Sequence, residues 1–219
     1  MMPECRLCHH NAEAFLSVKD VEYLKCSQCG LRFMAVENLP DLTSEKAHYD
    51  HHKNDSDDQG YRDFLSRLLT PLTTILSQEA HVLDYGSGPS VSGKETALAR
   101  MMRECGYSVS CFDPIYHNDP TYRDRHYDAV TATEVIEHFH YPRRMFDHLH
   151  ALLKPGGILA VMTLLQTDED DFAEWHYRCD PTHVAFYREE SFLWLANHYG
   201  YTLTRPHQNV AFFQKAVLS

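Results

Sequence analysis

The sequence predicts an α/β protein with a doubly wound, mostly parallel sheet, preceded by a small cysteine-rich module. Three observations predict it. From residue 61 onward, short apolar runs alternate with helix-period segments, the pattern left by parallel strands joined through helices. A glycine turn, Asp84-Tyr-Gly-Ser-Gly-Pro89, follows the first of those runs directly. Two Cys-x-x-Cys pairs, Cys5/Cys8 and Cys26/Cys29, sit within the first thirty residues.

The elements follow in order. Residues 1–35 hold the cysteine pairs around strand-like pieces at Val21–Lys25 and Leu31–Ala35. Residues 36–60 are polar and rich in His and Asp, so they read as a linker or flap. The main domain spans 61–219. Tyr61, Phe64, Leu65, Leu68, Leu69 and Leu72 recur at helix spacing, with Pro71 expected to kink or divide the helix. His81–Tyr85 is the first strand of the main sheet. Residues 95–105 put Ala97, Leu98, Met101 and Met102 on one helix face, and Gly106 stops them. Tyr107–Phe112 is the second strand and ends at Asp113-Pro114. Tyr127–Thr133 is the next strand. Pro142 opens a helix that turns Met145, Phe146, Leu149, Leu152 and Leu153 inward and closes at Lys154-Pro-Gly-Gly157. Ile158–Leu164 is an apolar central strand. Glu189–Tyr199 is a helix with Phe192, Leu195, Ala196 and Tyr199 on one face, ended by Gly200. Segments near 201–205 and 209–217 form a C-terminal hairpin.

Composition narrows the function. A chain of 219 residues can bury a full core, and 43% hydrophobic with 23% charged residues is ordinary for a globular protein. No apolar run approaches membrane-spanning length, and the N-terminus lacks the shape of a signal peptide, so the expected location is cytoplasmic with no membrane insertion. The net charge of −11 and the lack of a basic footprint argue against a nucleic-acid partner. Sixteen histidines supply bases and ligands that titrate near neutral pH.

Two nucleotide-binding loops can be read into residues 82–96. Gly88-Pro-Ser-Val-Ser-Gly93-Lys94 has the spacing of a phosphate cradle. Such a loop needs Ser or Thr after its Lys to hold magnesium, and Glu95 stands there instead. The other reading needs a strand, a tight glycine turn and an acid at the end of the next strand to bind ribose hydroxyls. Asp113 occupies that place. The bland reading is that Gly86 and Gly88 simply turn a strand into a helix.

Four motifs decide between them: VLDYGSG, FDP, YDAVTATEVIEHF and LLKPGGILAVMT, in that order. Together they resemble class I S-adenosylmethionine-dependent methyltransferases over about residues 61–217. The segment DFAEWHYRCDPTHVAFYREESFLWLA narrows the resemblance to a zinc-ribbon-bearing subgroup, distantly similar to ubiquinone-biosynthesis methylases. The resemblance implies a Rossmann-like sheet and S-adenosylmethionine as cofactor. It implies that Asp84, Gly86, Ser87, Gly88 and Pro89 line its methionine half, that Asp113 binds the ribose, that Thr133 and Glu134 floor the pocket, and that Tyr85 and Pro114 are among the cofactor-binding residues. Two departures stand out. The third glycine of the loop falls at Ser90, with an extra turn in SVSGK. The segment after the second strand is short, so the third strand and its helix are expected to be missing or vestigial. Adenine then falls to the loop Pro114–Tyr122, with Asp119 as the candidate contact.

The cysteine spacing, Cys5-x2-Cys8-x17-Cys26-x2-Cys29, fits a zinc ribbon. Four thiolates leave no open position, which makes the metal structural. It would fold a module too small to make its own core. Gly30 suits the turn after the second pair; His9 takes that place in the first, so His9 or His10 is a substitute ligand candidate. The ribbon could grip a partner, cover the active site or build an interface, and the oligomeric state is open.

Methyl transfer is an in-line displacement, so the enzyme mainly positions the acceptor and, for oxygen or nitrogen, takes its proton. The candidate bases are Glu137, His138 and His140 in EVIEHFH, and His176, Asp180 and His183 in WHYRCDPTHV. Both segments follow strands, where sites gather in doubly wound sheets. His138 and His183 are the preferred pair, with Glu137 and His176 beside them. The bland readings are a solvated helix start for the first segment and a self-bonded turn for the second. A second metal site on His138, His176 and His183 is a further reading. Tyr49, His52 and Tyr61 are candidates to close over the cofactor, with a plain surface loop the competing role for His52. The expected function is methylation of a small molecule or metabolite. The alternatives are a methyltransferase-fold scaffold with a docking ribbon, or a protein methyltransferase.

Overall fold

The computed structural model describes residues 2–51, 54–90, 95–168 and 171–217. The N-terminal module forms β1 (Glu13–Val18), β2 (Val21–Lys25) and β3 (Arg32–Met34), an antiparallel meander with the cysteine knuckles at its ends. The polar stretch that reads as a flap contains a helix, α1 (Leu42–Tyr49), capped by the Asp41 carboxylate, which accepts from the Ser44 amide at 2.8 Å. α2 (Gln59–Thr73) buries Leu65, Leu68, Leu69 and Leu72. Each of these is worth roughly 1.5–3 kcal/mol on burial. The helix runs through Pro71 because the proline falls in its last turn, where only one intrahelical bond is lost.

The main sheet comprises β4 (His81–Tyr85), β5 (Ser108–Phe112), β6 (Tyr127–Thr133), β7 (Leu153–Met162), β9 (Tyr201–His207) and β10 (Val210–Lys215). Their order is β5-β4-β6-β7-β10-β9, parallel from β5 to β7 and antiparallel across the β9–β10 hairpin. Helices α3 (Ala97–Glu104), α4 (Pro142–Leu152) and α5 (Glu189–Tyr199) complete the layers. Alternate strand residues divide between the two faces. Leu83, Val130, Leu159, Val161 and Phe213 pack toward α4 and α5, whereas Val82, Ala129, Ile158, Ala160 and Phe212 pack toward α2 and α3.

The shortened segment takes the expected form. Between β5 and β6 the chain makes one 3-10 turn, Pro120–Asp124, and β5 is the sheet edge. One boundary differs from expectation. Lys154-Pro-Gly-Gly157 does not close α4 but lies inside β7, with a register shift that jumps from the Tyr127–Leu153 pair to Ala129–Ile158. Those residues form a bulged entry to the strand rather than a free turn.

The ribbon sheet takes its fourth strand from far along the chain. β8 (Ala185–Phe186) pairs antiparallel with β3, matching Arg32 to Phe186 and Phe33 to Ala185. Ribbon residues Leu7, Leu31 and Phe33 continue the core that α4 and α5 share with the main sheet. On the other face, Tyr23 and Met34 pack with Phe172, Trp175 and Phe186.

Candidate functional site

A cleft of about 980 Å³ opens at the carboxyl ends of β4, β5 and β6, where strand ends, the glycine turn and α1 converge. One wall is the glycine turn. Gly86 has φ 73° and Gly88 φ 72°. A Cβ on Gly86 would lie 2.5 Å from Val135 Cγ2, so only glycine fits there. The amides of Gly86 and Ser87 donate to the Phe112 carbonyl at 2.7 and 3.1 Å. The Gly88 amide donates to Asp113 Oδ2 at 3.0 Å. Asp113 Oδ1 accepts from the amides of Ile115 and Tyr116 at 2.8 and 3.0 Å. The acid expected to hold ribose therefore also ties the glycine turn to the adenine-side loop. Tyr85, Pro89 and Pro114 line the same wall.

Asp84 is buried and accepts from Thr131 Oγ1 at 3.0 Å; burial pushes its carboxyl up to about 7. Three polar atoms of the wall, Ser87 Oγ, Thr133 Oγ1 and Glu134 Oε1, are buried without a hydrogen-bond partner in the protein. Arg6 Nε, Glu137 Oε2 and Arg178 Nε are also unpaired, on residues that do not line the cleft, but the grouping of the first three at one cleft suits a polar ligand. The residues present thus fit S-adenosylmethionine. Val91–Lys94, which carry the phosphate-cradle spacing, lie outside the described residues, as does His52. Ser90, at the third-glycine position, has its hydroxyl 3.1 Å from His117 Nε2.

On the adenine side Tyr122 packs on Phe112 with ring centroids 4.1 Å apart. Ile115, Tyr116 and Arg123 also face the cleft. Asp119 does not. It is exposed and caps its own turn, accepting from the Thr121 amide at 2.9 Å, so the adenine-side expectation for it is corrected.

The facing wall is built from residues 135–140 and 177–183, with Glu134 at the floor where the two walls meet. Glu134 ends β6 in the left-handed region, φ 52°. Glu137 is fully buried, not a solvated helix start. Tyr177 Oη lies 3.1 Å from Glu134 Oε2, 2.5 Å from Glu137 Oε1 and 2.8 Å from Thr163 Oγ1. One hydroxyl hydrogen cannot serve two carboxylates, so the pair retains a proton. Burial pushes Glu134 up to about 7, and burial with the neighbouring Glu134 charge pushes Glu137 well above the usual range.

His138 and His183 do come together, their rings 4.7 Å apart. His138 Nδ1 donates to the Thr182 carbonyl at 2.9 Å and His183 Nδ1 to the Tyr177 carbonyl at 2.7 Å. When neutral, His138 so held carries its lone pair on Nε2; His183, when protonated, turns Nε2 toward Asp180 Oδ2 at 3.9 Å. Asp180 makes the expected self-bonded turn, accepting from the Thr182 amide at 2.8 Å and hydroxyl at 2.6 Å, and also faces the cleft. Burial raises its carboxyl, but the two Thr182 bonds with His183 and His48 outweigh burial and bring it down to about 2. His176 is corrected: it is exposed on the 173–179 turn, and Tyr177 takes the inward place. Its part in a second metal site falls with it; the ligand-type group gathered there is Glu137, His138 and His183.

α1 lies over this wall. Glu45 Oε1 pairs with His140 Nε2 at 2.8 Å, His48 Nε2 with Asp180 Oδ2 at 3.0 Å, and Tyr49 Oη with His138 Nδ1 at 3.1 Å. Tyr116 Oη donates to Asp50 at 2.8 Å from the opposite side. Tyr49 and Tyr61 both line the cleft. Sequence reasoning missed Tyr177, Glu45 and His48; for Tyr177 the signal was only a place between two singled-out residues of one segment.

The four cysteines are buried and unbridged. Cys5 and Cys29 sulfurs are 3.6 Å apart, Cys8 and Cys26 sulfurs 3.4 Å, and all four lie within 4.8 Å of one another. A tetrahedral ion bonded to each sulfur at about 2.3 Å sets sulfurs about 3.8 Å apart, so the quartet fits zinc. Without a cation it cannot hold four thiolates: the Cys29 hydrogen bond brings Cys5 down to about 5, while burial pushes Cys8 up to about 12. His9 and His10 are not substitute ligands. His9 pairs with Glu4 in the exposed rim, and His10 Nδ1 sits 3.2 Å from the Cys8 carbonyl.

A family model described as a methyltransferase domain matches residues 49–205. The mitochondrial ubiquinone biosynthesis O-methyltransferase of Dictyostelium discoideum is 41% identical over 65 residues, 30% of this chain and 19% of that protein. The chain thus matches about a fifth of the length of that curated relative. Among solved structures, the 1,6-didemethyltoxoflavin-N1-methyltransferase of Burkholderia thailandensis, with bound 1,6-didemethyltoxoflavin and S-adenosylhomocysteine, aligns with a TM-score of 0.54 at 14% identity. That alignment covers 94% of this chain and 100% of that one. An O-methyltransferase family protein from the same organism aligns with a TM-score of 0.50 at 17% identity, over 80% of this chain and 64% of that one. At such identities the two structures speak for the fold alone. Among the described residues no helix is long and apolar enough to cross a membrane.

Proposed function

This chain belongs to the methyltransferase-domain family, and we propose that it transfers the methyl group of S-adenosylmethionine to a small-molecule acceptor. The observation that carries the proposal is the buried, unpaired trio of Ser87 Oγ, Thr133 Oγ1 and Glu134 Oε1 beside Asp113 in one cleft. Bound S-adenosylmethionine would supply an electrophilic sulfonium methyl; the remaining demands fall on the chain. Asp84, Gly86, Ser87 and Gly88 shape the methionine end, Asp113 meets the ribose hydroxyls, and Tyr122 with Arg123 covers the adenine side. Thr133 and Glu134 floor the cleft. On the facing wall His138 Nε2 takes the acceptor proton, with His183 and the charged Asp180 favouring the resulting imidazolium.

The acceptor is small because α1 crosses the wall it must reach, held by Glu45, His48 and Tyr49. The ribbon, residues 1–35, holds structural zinc through Cys5, Cys8, Cys26 and Cys29; residues 36–60 form the cover and 61–219 the catalytic domain, which lends β8 back to the ribbon.

Titration calorimetry with S-adenosylhomocysteine tests the cofactor reading. Wild-type protein binds, and Asp113→Ala weakens binding by about 10–100-fold, the equivalent of losing hydrogen bonds to a charged group. Absence of binding to wild type overturns the assignment. Incubation with tritiated S-adenosylmethionine and a cell extract then tests the acceptor. Label in the small-molecule fraction is expected; label confined to protein would favour the protein-methyltransferase alternative, and none at all would favour the scaffold.

A further inference from the structure

Arg6 lies in the knuckle between Cys5 and Cys8, and its side chain bonds carbonyls outside it. Its guanidinium Nη1 donates to the His140 carbonyl at 2.7 Å. Nη2 donates to the carbonyls of Met34 at 2.8 Å and Val184 at 3.2 Å. The group packs over the Phe33 ring, 5.1 Å from its centroid. The Arg6 carbonyl accepts from the Arg143 amide at 3.1 Å, at the start of α4. The strands it joins are themselves bonded: Met34 N donates to Val184 O at 3.0 Å, and Val184 N to Glu137 O at 2.9 Å.

One side chain therefore fixes three backbone segments at once. Two of them carry the paired histidines. His140 is two residues past His138, and Val184 is the residue after His183. Only a planar group with several donors can hold carbonyls in divergent directions; a lysine ammonium on a flexible stem cannot reproduce that fork. None of these contacts reaches the glycine turn or Asp113.

We propose that Arg6 is a positioning residue for the acceptor wall: it couples the folded cysteine knuckle to the placement of His138 and His183, while the cofactor wall, which meets this wall where Gly86 packs on Val135, keeps its own backbone anchors. The metal-bearing ribbon is then part of the active-site frame and not an appended docking module. The proposal rests on the reading of His138 and His183 as acceptor-side groups, but its test does not require the acceptor.

The test uses full-length, zinc-loaded protein as wild type, Arg6→Lys and Arg6→Ala. Hydrogen exchange is followed in peptides covering 136–141 and 182–187, with 82–90 and 112–116 as the cofactor-wall reference. Side-chain NMR follows the pH midpoints of His138 and His183. In Arg6→Ala, exchange rises about tenfold in the first two peptides, the change expected when a charged donor is removed from buried carbonyls. Both histidine midpoints shift, and S-adenosylhomocysteine affinity stays within about twofold, as independent sites require. Arg6→Lys falls between and does not restore both midpoints. Equal loosening of all four peptides, or unmoved histidine midpoints, overturns the proposal, since a merely structural arginine would produce that pattern. If Arg6→Ala does not fold, Arg6→Lys and a chelator titration of wild type decide between the same outcomes: 182–187 opens with the ribbon before 82–90, or it does not. Failure of wild type to bind S-adenosylhomocysteine would sink the methyltransferase reading and leave this coupling to stand or fall on exchange and midpoints.

Discussion

The two walls of the cleft are held in different ways. The cofactor wall comes from β4, its glycine turn and Asp113, about thirty residues of chain, and its anchors are backbone amides given to Phe112 and Asp113. The facing wall collects α1, the 136–140 turn, the 177–187 segment and a ribbon arginine, and its anchors reach across the sequence, through side chains and through backbone bonds such as Val184 N to Glu137 O. A wall tied by local backbone bonds tolerates side-chain change everywhere except at its glycines and acid. A wall tied by distant side chains depends on every module that contributes one.

Metal removal should break the contrast most visibly. Chelation costs several kcal/mol, because the ribbon's binding free energy is also its folding free energy, and it loosens the facing wall first. A melt with and without chelator checks this against zinc per chain by metal analysis; an unchanged midpoint, or well under one zinc, would remove the ribbon from the frame.

The next effect belongs to the proton shared at the facing wall. Glu134 holds its proton up to about 7, above the range of an unfolded glutamate. Such a group carries stability that is complete below about pH 4.5 and is lost as pH rises through about 7. Glu134→Gln keeps an acceptor for Tyr177 and removes the titration. Glu137 still titrates in the variant, without the Glu134 charge beside it, so the wild type should lose more stability than the variant between those limits, read from denaturant unfolding at stepped pH. Parallel curves would mean that the proton resides elsewhere.

Gly86→Ala tests the opposite wall. A methyl group 2.5 Å from Val135 Cγ2, at φ 73°, costs about 1–3 kcal/mol of stability, weakens S-adenosylhomocysteine binding and presses on the facing wall at residue 135, while exchange in 182–187 stays as in wild type. Coupled loosening of both walls would erase the distinction between them.

The smallest effect compares the knuckles themselves. His9 and Gly30 occupy matching places with φ 63° and 71°. His9→Gly should gain about 0.5 kcal/mol by relieving the left-handed strain. A loss would show that the exposed Glu4 contact is worth more than the strain.

The glycine-turn wall was legible in the sequence because its logic is local. A strand, a glycine turn and an acid at the next strand end leave a readable order, and Asp84, Gly86, Gly88 and Asp113 all line the one cleft. The facing wall was legible only in part. His138 and His183 were found through the segments that carry them, but α1 was not, because its one buried residue is Glu45 and a helix without an apolar stripe leaves no period to detect. Arg6 bonds partners 134 and 178 residues away, a distance at which spacing carries no information. Asp119 and His176 are both polar residues in turns: Asp119 is taken up by its own turn, accepting from Thr121, and His176 is left exposed to solvent.

The pairing of β3 with β8 has a consequence during synthesis. Arg32 and Phe186 are about 150 residues apart, so at roughly 5–20 residues per second the ribosome delivers the fourth strand some ten to thirty seconds after the third. Through that interval β3 is a naked sheet edge on a nascent chain, open to pairing with a stranger. Arg32, at the very register that later receives Phe186, puts a positive charge on that edge while it waits.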